Sequence, residues 1–330
     1  MARILLTHTP DMRRNYYGER ALSELRALGE VRLNEGGVLD TDALIEASHQ
    51  CDIVVSDRQT PGEARFFDHA PDIAAFLRVA VDIRNIDAAA ASRHGILVTR
   101  ATPGFIAAVA EMAIGFMVDL ARHIPQAVAD YRAGRDPASH MGRQLKGSTV
   151  GIMGYGAIGQ YLAPICATLG MTVLVNDPYK TVSDPTLLQV PLERLLAESD
   201  FVICLVVANE DTESLMNAAA FARMRPSAYF INLSRGNLVD EAALERALDE
   251  RRIAGAAMDV GRAPDQKPSP RLARRADVIA TPHIAGLTPQ AIEHQALDTV
   301  NQVRELLAGR IPPGAVNVEA ASRLARFKSG

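Results

Sequence analysis

The chain has 330 residues, enough for about two domains at roughly 100–200 residues each. Its 35 Lys and Arg against 39 Asp and Glu leave a formal charge of −4, without the basic excess that phosphate binding along a nucleic acid requires. Hydrophobic residues make up 48% and charged ones 22%, a globular composition well outside the regime of disordered chains.

In chain order, short apolar runs rich in β-branched residues alternate with stretches of helical periodicity. That alternation predicts βαβ units and an α/β fold whose parallel sheet is covered on both faces. The apolar run at the start, Ile4 to Leu6, is too short for the core of a signal peptide. Strands are predicted at 4–7, 31–33 and 53–56, with helices over 19–28 and 41–48. Further strands at 76–81 and 97–99 flank a helix over 87–93, and Thr102, Pro103 and Gly104 then break the chain at a predicted domain boundary.

The next segment is apolar at 106, 109, 110, 113, 117 and 120, a helical stripe, yet Ala107, Met112, Ile114 and Val118 make its other side apolar too. Such a helix must be covered all round, either by the chain's own core or by a second subunit, which would make the protein a homodimer. Glu111 and Asp119 interrupt it, and it falls short of the roughly 20 residues a bilayer span needs, so no membrane partner is expected.

Beyond residue 148 strands are predicted at 149–153, 172–176, 201–207, 229–233, 255–260 and 278–280, with helices over 158–169, 192–198, 217–223 and 240–251. Six strands with crossover helices are the content of a doubly wound dinucleotide domain. A last long helix, over about 289–308, leaves that sheet and is expected to pack on the first domain. Cys51, Cys166 and Cys204 are odd in number, widely spaced and set in apolar runs. They read as buried thiols of a cytoplasmic protein, not as disulfides or a metal site.

Gly154, Gly156 and Gly159 form a GxGxxG turn directly after the strand TVGIM and before a helix that stops at Gly170. Alone the motif is weak; here strand, turn, helix, second strand and an acidic residue at that strand's end occur together. The glycines permit a tight turn and close approach of a pyrophosphate, and the helix start at Ala157 and Ile158 offers N–H groups to phosphate. Asp177, 18 residues beyond the third glycine, is placed to accept hydrogen bonds from ribose hydroxyls and to repel a 2′-phosphate, which favours NAD over NADP.

Downstream, the chain resembles the D-isomer-specific 2-hydroxyacid dehydrogenases. The resemblance rests on NIDAAAASRHGILV at 85–98, VAE at 109–111, GYGAIG at 154–159, INLSRGNLVDEAAL at 231–244, GAAMDV at 255–260 and TPHIAG at 281–286. It implies a Rossmann cofactor domain at 105–288 and a smaller, flavodoxin-like substrate domain at 1–104 and 289–330, with the site in the cleft between them. The expected reaction is NAD-dependent interconversion of a 2-keto acid and its D-2-hydroxy acid. Arg235 matches the family's substrate arginine, whose planar fork suits a carboxylate. His283 matches its proton donor and acceptor, with an ordinary pKa of about 6.5 suited to that work. Asp259, Leu233 and Ser234 fall at cofactor-side positions, although a strand-end Asp259 is equally suited to capping a turn.

Three departures stand out against this pattern. The carboxylate that pairs with the family's histidine, a Glu followed by Pro, is replaced by Pro264, so a shifted Asp265 is the candidate partner that would raise the imidazole pKa. The Gly-rich substrate turn reads RVAVDIRNID, with Ala80 and Asp82 at the glycine positions, leaving the backbone of Val81 and Asp82 to bind substrate and requiring Asp82 to point away, accept a hydroxyl or pair with Arg84. The family's His-x-Pro is replaced by Leu205, Val206 and Val207. These departures keep open an NAD(H)-sensing, corepressor-like alternative, and Arg58, Arg84 and Arg100 are candidates for recognising a second acidic group.

Overall fold

The structure, a computed structural model, describes residues 1–327. The chain divides into two compact units, one of residues 1–104 and 289–330, the other of residues 105–288.

In the first unit β1 (Ala2–Leu6), β2 (Gly29–Leu33), β3 (Ile53–Ser56), β4 (Ala75–Arg78) and β5 (Leu97–Arg100) form one sheet in the order β2-β1-β3-β4-β5. Every pairing is parallel, and the order is that of a flavodoxin-like doubly wound fold. Successive residues of β3 serve opposite faces: Ile53 and Val55 enter one core and Val54 the other. The helix Glu19–Leu28 buries Ala21, Leu22 and Leu25. Against the same core the helix Pro289–Leu307 sets Ala296, Val300, Val303 and Leu306.

In the second unit β6 (Thr149–Met153), β7 (Thr172–Asn176), β8 (Leu188–Gln189), β9 (Phe201–Cys204), β10 (Tyr229–Asn232), β11 (Gly255–Met258) and β12 (Val278–Ala280) form a sheet in the order β12-β11-β10-β9-β6-β7-β8. All its pairings are parallel, so every strand presents its C-terminal end to the same edge. The order reverses between β6 and β9, the switch point at which such sheets bind ligands. Phe230 packs on one face of β10, Tyr229 and Ile231 on the other.

Two strands are shorter than their apolar runs. β9 stops at Cys204, because Leu205 and Val206 leave the ladder and pack as loop against the two cores, while Val207 is 77% exposed. β4 stops at Arg78, and 79–81 form a bend. The helix Ile106–Arg122 buries Val109, Ala113, Phe116, Met117 and Leu120 on its own unit, but Val118 is exposed and a side chain at Gly115 would meet open space. Met112 and Ile114 on the other side are partly buried against the same core, so the chain leaves part of that side open. The helix Ile124–Arg132 was not predicted and exposes Ile124, Val128 and Tyr131. Among the described residues no helix is long and apolar enough to cross a membrane.

Candidate active site

The glycine turn opens directly from β6. Gly154 has φ +95°, and a Cβ there would stand 2.8 Å from the Leu205 carbonyl oxygen of the neighbouring loop. A Cβ at Gly159 would lie 2.3 Å from the Gly154 carbonyl oxygen, so that glycine lets the helix Ala157–Thr168 sit against the turn. Gly156 differs, since a Cβ there meets nothing within 4 Å. Of the three glycines of the turn this one alone has open space beside it, which leaves room for a ligand. Gly156 is also the N-cap and no side chain caps the helix, which leaves the N–H groups of Ala157 and Ile158 for an anion. The residues present fit a pyrophosphate.

Asp177, at the end of β7, accepts from Tyr155 N–H at 2.8 Å through one oxygen and from Tyr179 and Lys180 N–H at 2.8 and 3.1 Å through the other. The carboxylate thus joins the glycine turn to the loop after β7. The oxygen facing Tyr155 accepts one bond and keeps capacity for another, so the arrangement is compatible with a ribose hydroxyl.

Arg235 follows β10 by three residues, and His283 follows β12 by three. Both lie at the edge that carries the glycine turn. Arg235 is half-buried; its Nη1 donates to Ser234 O at 2.8 Å, and its carbonyl accepts from Asn232 Nδ2 at 3.0 Å. Ser234 Oγ donates to Val206 O at 2.5 Å, fastening this loop to the one after β9. Leu233 is buried.

His283 is half-buried with φ +60°. Its backbone is set by Asp259, at the end of β11 and 1% exposed. The Asp259 carbonyl accepts the His283 N–H at 2.9 Å. The Asp259 carboxylate accepts from Thr281 Oγ1 at 2.6 Å and from the N–H groups of Ile284 and Ala285, each at 2.8 Å. Asp259 therefore builds the turn that presents the histidine, the capping reading of that residue.

Asp265 corrects the sequence expectation in another way. Its carboxylate is 70% exposed and lies 3.7 Å from Lys267 Nζ. The group that meets His283 Nδ1, at 3.2 Å, is the Asp265 carbonyl. The cause is local: Asp265 and Gln266 both have positive φ, +62° and +58°, which turns the carbonyl inward and the side chain out. A carbonyl only accepts, so Nδ1 carries the hydrogen and Nε2 is left for chemistry.

In the first unit Asp82 pairs with Arg84, through Arg84 Nη2 at 2.6 Å and Nε at 3.0 and 3.1 Å. The Arg84 hydrogen bonds hold the Asp82 carboxyl down at about 2. Among the described residues the N–H groups of Val81 and Asp82 meet no acceptor. Arg58 and Arg100 are exposed. Sequence reasoning missed Arg78, fully buried at the end of β4, which donates to the Asp57 carbonyl, to Thr60 O and to Asn85 Oδ1. It also missed Arg262, whose only signal was a charge inside the unusual GRAPDQ loop.

This geometry sits in a recognisable family. Residues 114–285 match the family described as D-isomer specific 2-hydroxyacid dehydrogenase, NAD binding domain. The chain belongs to the D-isomer specific 2-hydroxyacid dehydrogenases, and the second unit carries their NAD-binding domain. It is 34% identical over 305 residues to a D-3-phosphoglycerate dehydrogenase of Mycobacterium bovis, covering 90% of this chain and 57% of that protein. It is 30% identical over 322 residues to one of Synechocystis sp., covering 96% and 56%. The chain thus spans a little over half the length of these curated relatives. A D-lactate dehydrogenase solved with NAD+ from Lactobacillus jensenii superposes with a TM-score of 0.82 at 25% identity, covering 96% of this chain and 99% of that one.

Proposed function

We propose that the protein interconverts a 2-keto acid and its D-2-hydroxy acid with NAD(H). The observation that carries this reading is the common edge of one parallel sheet. The glycine turn follows β6, Arg235 follows β10 and His283 follows β12. Neighbouring strands are about 4.8 Å apart, so two strand spacings separate each group from the next by roughly 10 Å, the scale of a nicotinamide and a small acid between them.

In this reading Gly154, Gly156, Ala157, Ile158 and Gly159 hold the pyrophosphate, Asp177 the adenosine ribose, and Leu233 and Ser234 border the nicotinamide. Bound NADH supplies the hydride that reduces the keto carbon. Arg235 engages the substrate carboxylate bidentately and polarises the keto oxygen as negative charge grows there. His283 delivers a proton to that oxygen from Nε2, while Nδ1–H rests on the Asp265 carbonyl and keeps the ring in one orientation. In the oxidative direction the same nitrogen accepts the hydroxyl proton. Asp259 positions the turn, and the Asp265 side chain takes no proton. Within the first unit Arg84 balances the charge of Asp82.

The relatives act on D-3-phosphoglycerate and D-lactate by name, which supports the substrate class without choosing a member. The half-covered helix Ile106–Arg122 and the exposed Ile124, Val128 and Tyr131 beside it support a homodimer. Three buried free thiols support a cytoplasmic location. The test is NADH oxidation against a panel of 2-keto acids. At least one should turn over, NADH should be preferred to NADPH, and His283→Asn and Arg235→Gln should each lower kcat about 100-fold or more. NADH binding without oxidation by any member of the panel would overturn the reading.

A further inference from the structure

The loop that supports His283 is held from one side by a single residue outside the candidate site. Arg262 Nη2 reaches Glu213 Oε1 at 2.6 Å, Asn237 O at 2.9 Å and Ser214 Oγ at 3.2 Å, and its Nε donates to Val239 O at 3.0 Å. Its own N–H donates to Glu241 Oε1 at 3.0 Å. Glu213 is held in turn by Asn237 Nδ2 at 2.9 Å. Arg262, through its guanidinium and its own N–H, therefore fastens three segments: the turn at 213–214, the stretch 237–241 shortly after Arg235, and the loop 261–267 whose Asp265 carbonyl meets His283.

Two glycines bring the last two segments into direct contact. A Cβ at Gly236 would stand 2.1 Å from the backbone of Gly261, and one at Gly261 would stand 2.5 Å from Pro268 Cα. The loop closes on itself through Gly261 N–H to Gln266 O at 2.9 Å and Ala263 N–H to Lys267 O at 3.1 Å. It has no apolar side chain buried beneath it, since Gly261 occupies the buried position and Arg262, Pro264–Asp265 and Lys267 lie at or near the surface. Packing alone gives such a loop little reason to keep two consecutive left-handed residues at Asp265 and Gln266. The fixed fork of an arginine with four acceptors supplies one.

We propose that Arg262 is a positioning residue: by clamping the 261–267 loop to the segment that follows Arg235, it fixes the Asp265 carbonyl and through it the orientation and tautomer of the His283 ring. This rests on the functional reading above for its kinetic consequence, but not for its structural one. Arg262 is 39% and Glu213 47% exposed, so the ion pair adds little to overall stability, and a small change in loop position is felt mainly at the histidine.

The test compares wild type with Arg262→Met and Arg262→Lys in the full chain. Nitrogen NMR of the His283 imidazole should show the Nδ1–H tautomer in wild type and a shift toward the Nε2–H form in Arg262→Met. With a turned-over 2-keto acid, kcat should fall about 10- to 100-fold, while NADH affinity changes less than about twofold and Arg262→Lys recovers part of kcat. Should Arg262→Met fail to fold, Arg262→Lys carries both measurements alone, with a smaller shift in the same direction. Unchanged tautomer populations overturn the proposal, as does unchanged kcat in an enzyme that turns over. A tautomer shift in a protein that reduces no 2-keto acid leaves the clamp standing and removes the functional reading instead.

Discussion

At His283 the ring is presented from a left-handed backbone that a non-glycine residue adopts only when its surroundings insist, at roughly 1–3 kcal/mol. Asp259 supplies the insistence by accepting three hydrogen bonds at its carboxylate and one at its carbonyl. His283 and Arg235 were legible because each sits in a long run of matching residues. The partner of the histidine was not, because a carboxyl one position late in a loop looks like a shifted carboxylate. Sequence gives no sign that two successive residues there turn left-handed. This makes a sharp prediction about Asp265. Asp265→Asn and Asp265→Gly keep both the carbonyl and access to φ +62°, and each should hold kcat/KM within about twofold with an unmoved pH–rate profile. Asp265→Pro, locked near −65°, cannot place the carbonyl under Nδ1 and should lose about tenfold or more. A tenfold loss in Asp265→Asn, measured across pH 5–9, would return the role to the carboxylate.

At the scale of the element, strand β6 and the helix after it were read from the sequence to within a residue or so, because glycines, apolar run and helix start reinforce one another. β9 was overread, because apolar character persists into Leu205 and Val206 where they pack as loop. The helix Ile124–Arg132 was not predicted, although Ile124, Ala127, Val128 and Tyr131 stand at helical spacing; it follows the preceding helix directly and buries no residue fully. The three glycines of the turn also separate into distinct roles that the motif itself does not distinguish. Gly156→Ala adds a methyl group facing open space at an ordinary φ of −71°, so thermal stability should not move by more than a degree or two while NADH affinity falls about tenfold or more. Gly159→Ala drives its methyl into the Gly154 carbonyl, and overpacking of that kind costs about 1–3 kcal/mol, so it should lower Tm as well. Thermal melts paired with NADH titration distinguish the two. Equal loss of stability in both variants would mean that Gly156 has a packing role and no ligand to admit.

At the scale of the molecule, period-two and period-3.6 patterns establish an α/β chain but not the strand order, since nothing local says that β3 lies beside β1 or β9 beside β6. Those adjacencies were reachable only through the resemblance. The polar interior of the first unit was likewise invisible: His8, one of eight histidines, has no motif around it and is 2% exposed against Tyr17, with ring centroids 5.0 Å apart. Burial is the main reason its pKa falls to about 4; the Asp57 carboxylate opposes the shift, and Arg78 and Arg13 add to it. Above pH 6.5 His8 is neutral whether the unit is folded or unfolded. Between 6.5 and about 4 the unfolded chain binds a proton that the folded one refuses, so stability declines as pH falls across that window and levels off below it. At about 1.4 kcal/mol per pH unit the loss is roughly 3 kcal/mol. Asp57 and Asp82, both held below the usual carboxylate range, do not begin to contribute until the unfolded carboxylates titrate near pH 4. Amide exchange of β1 and β3 in urea reports this unit separately from the other. Its opening free energy should fall between pH 6.5 and 4.5 in wild type and stay nearly level in His8→Gln; the same slope in both would place the titrating group elsewhere.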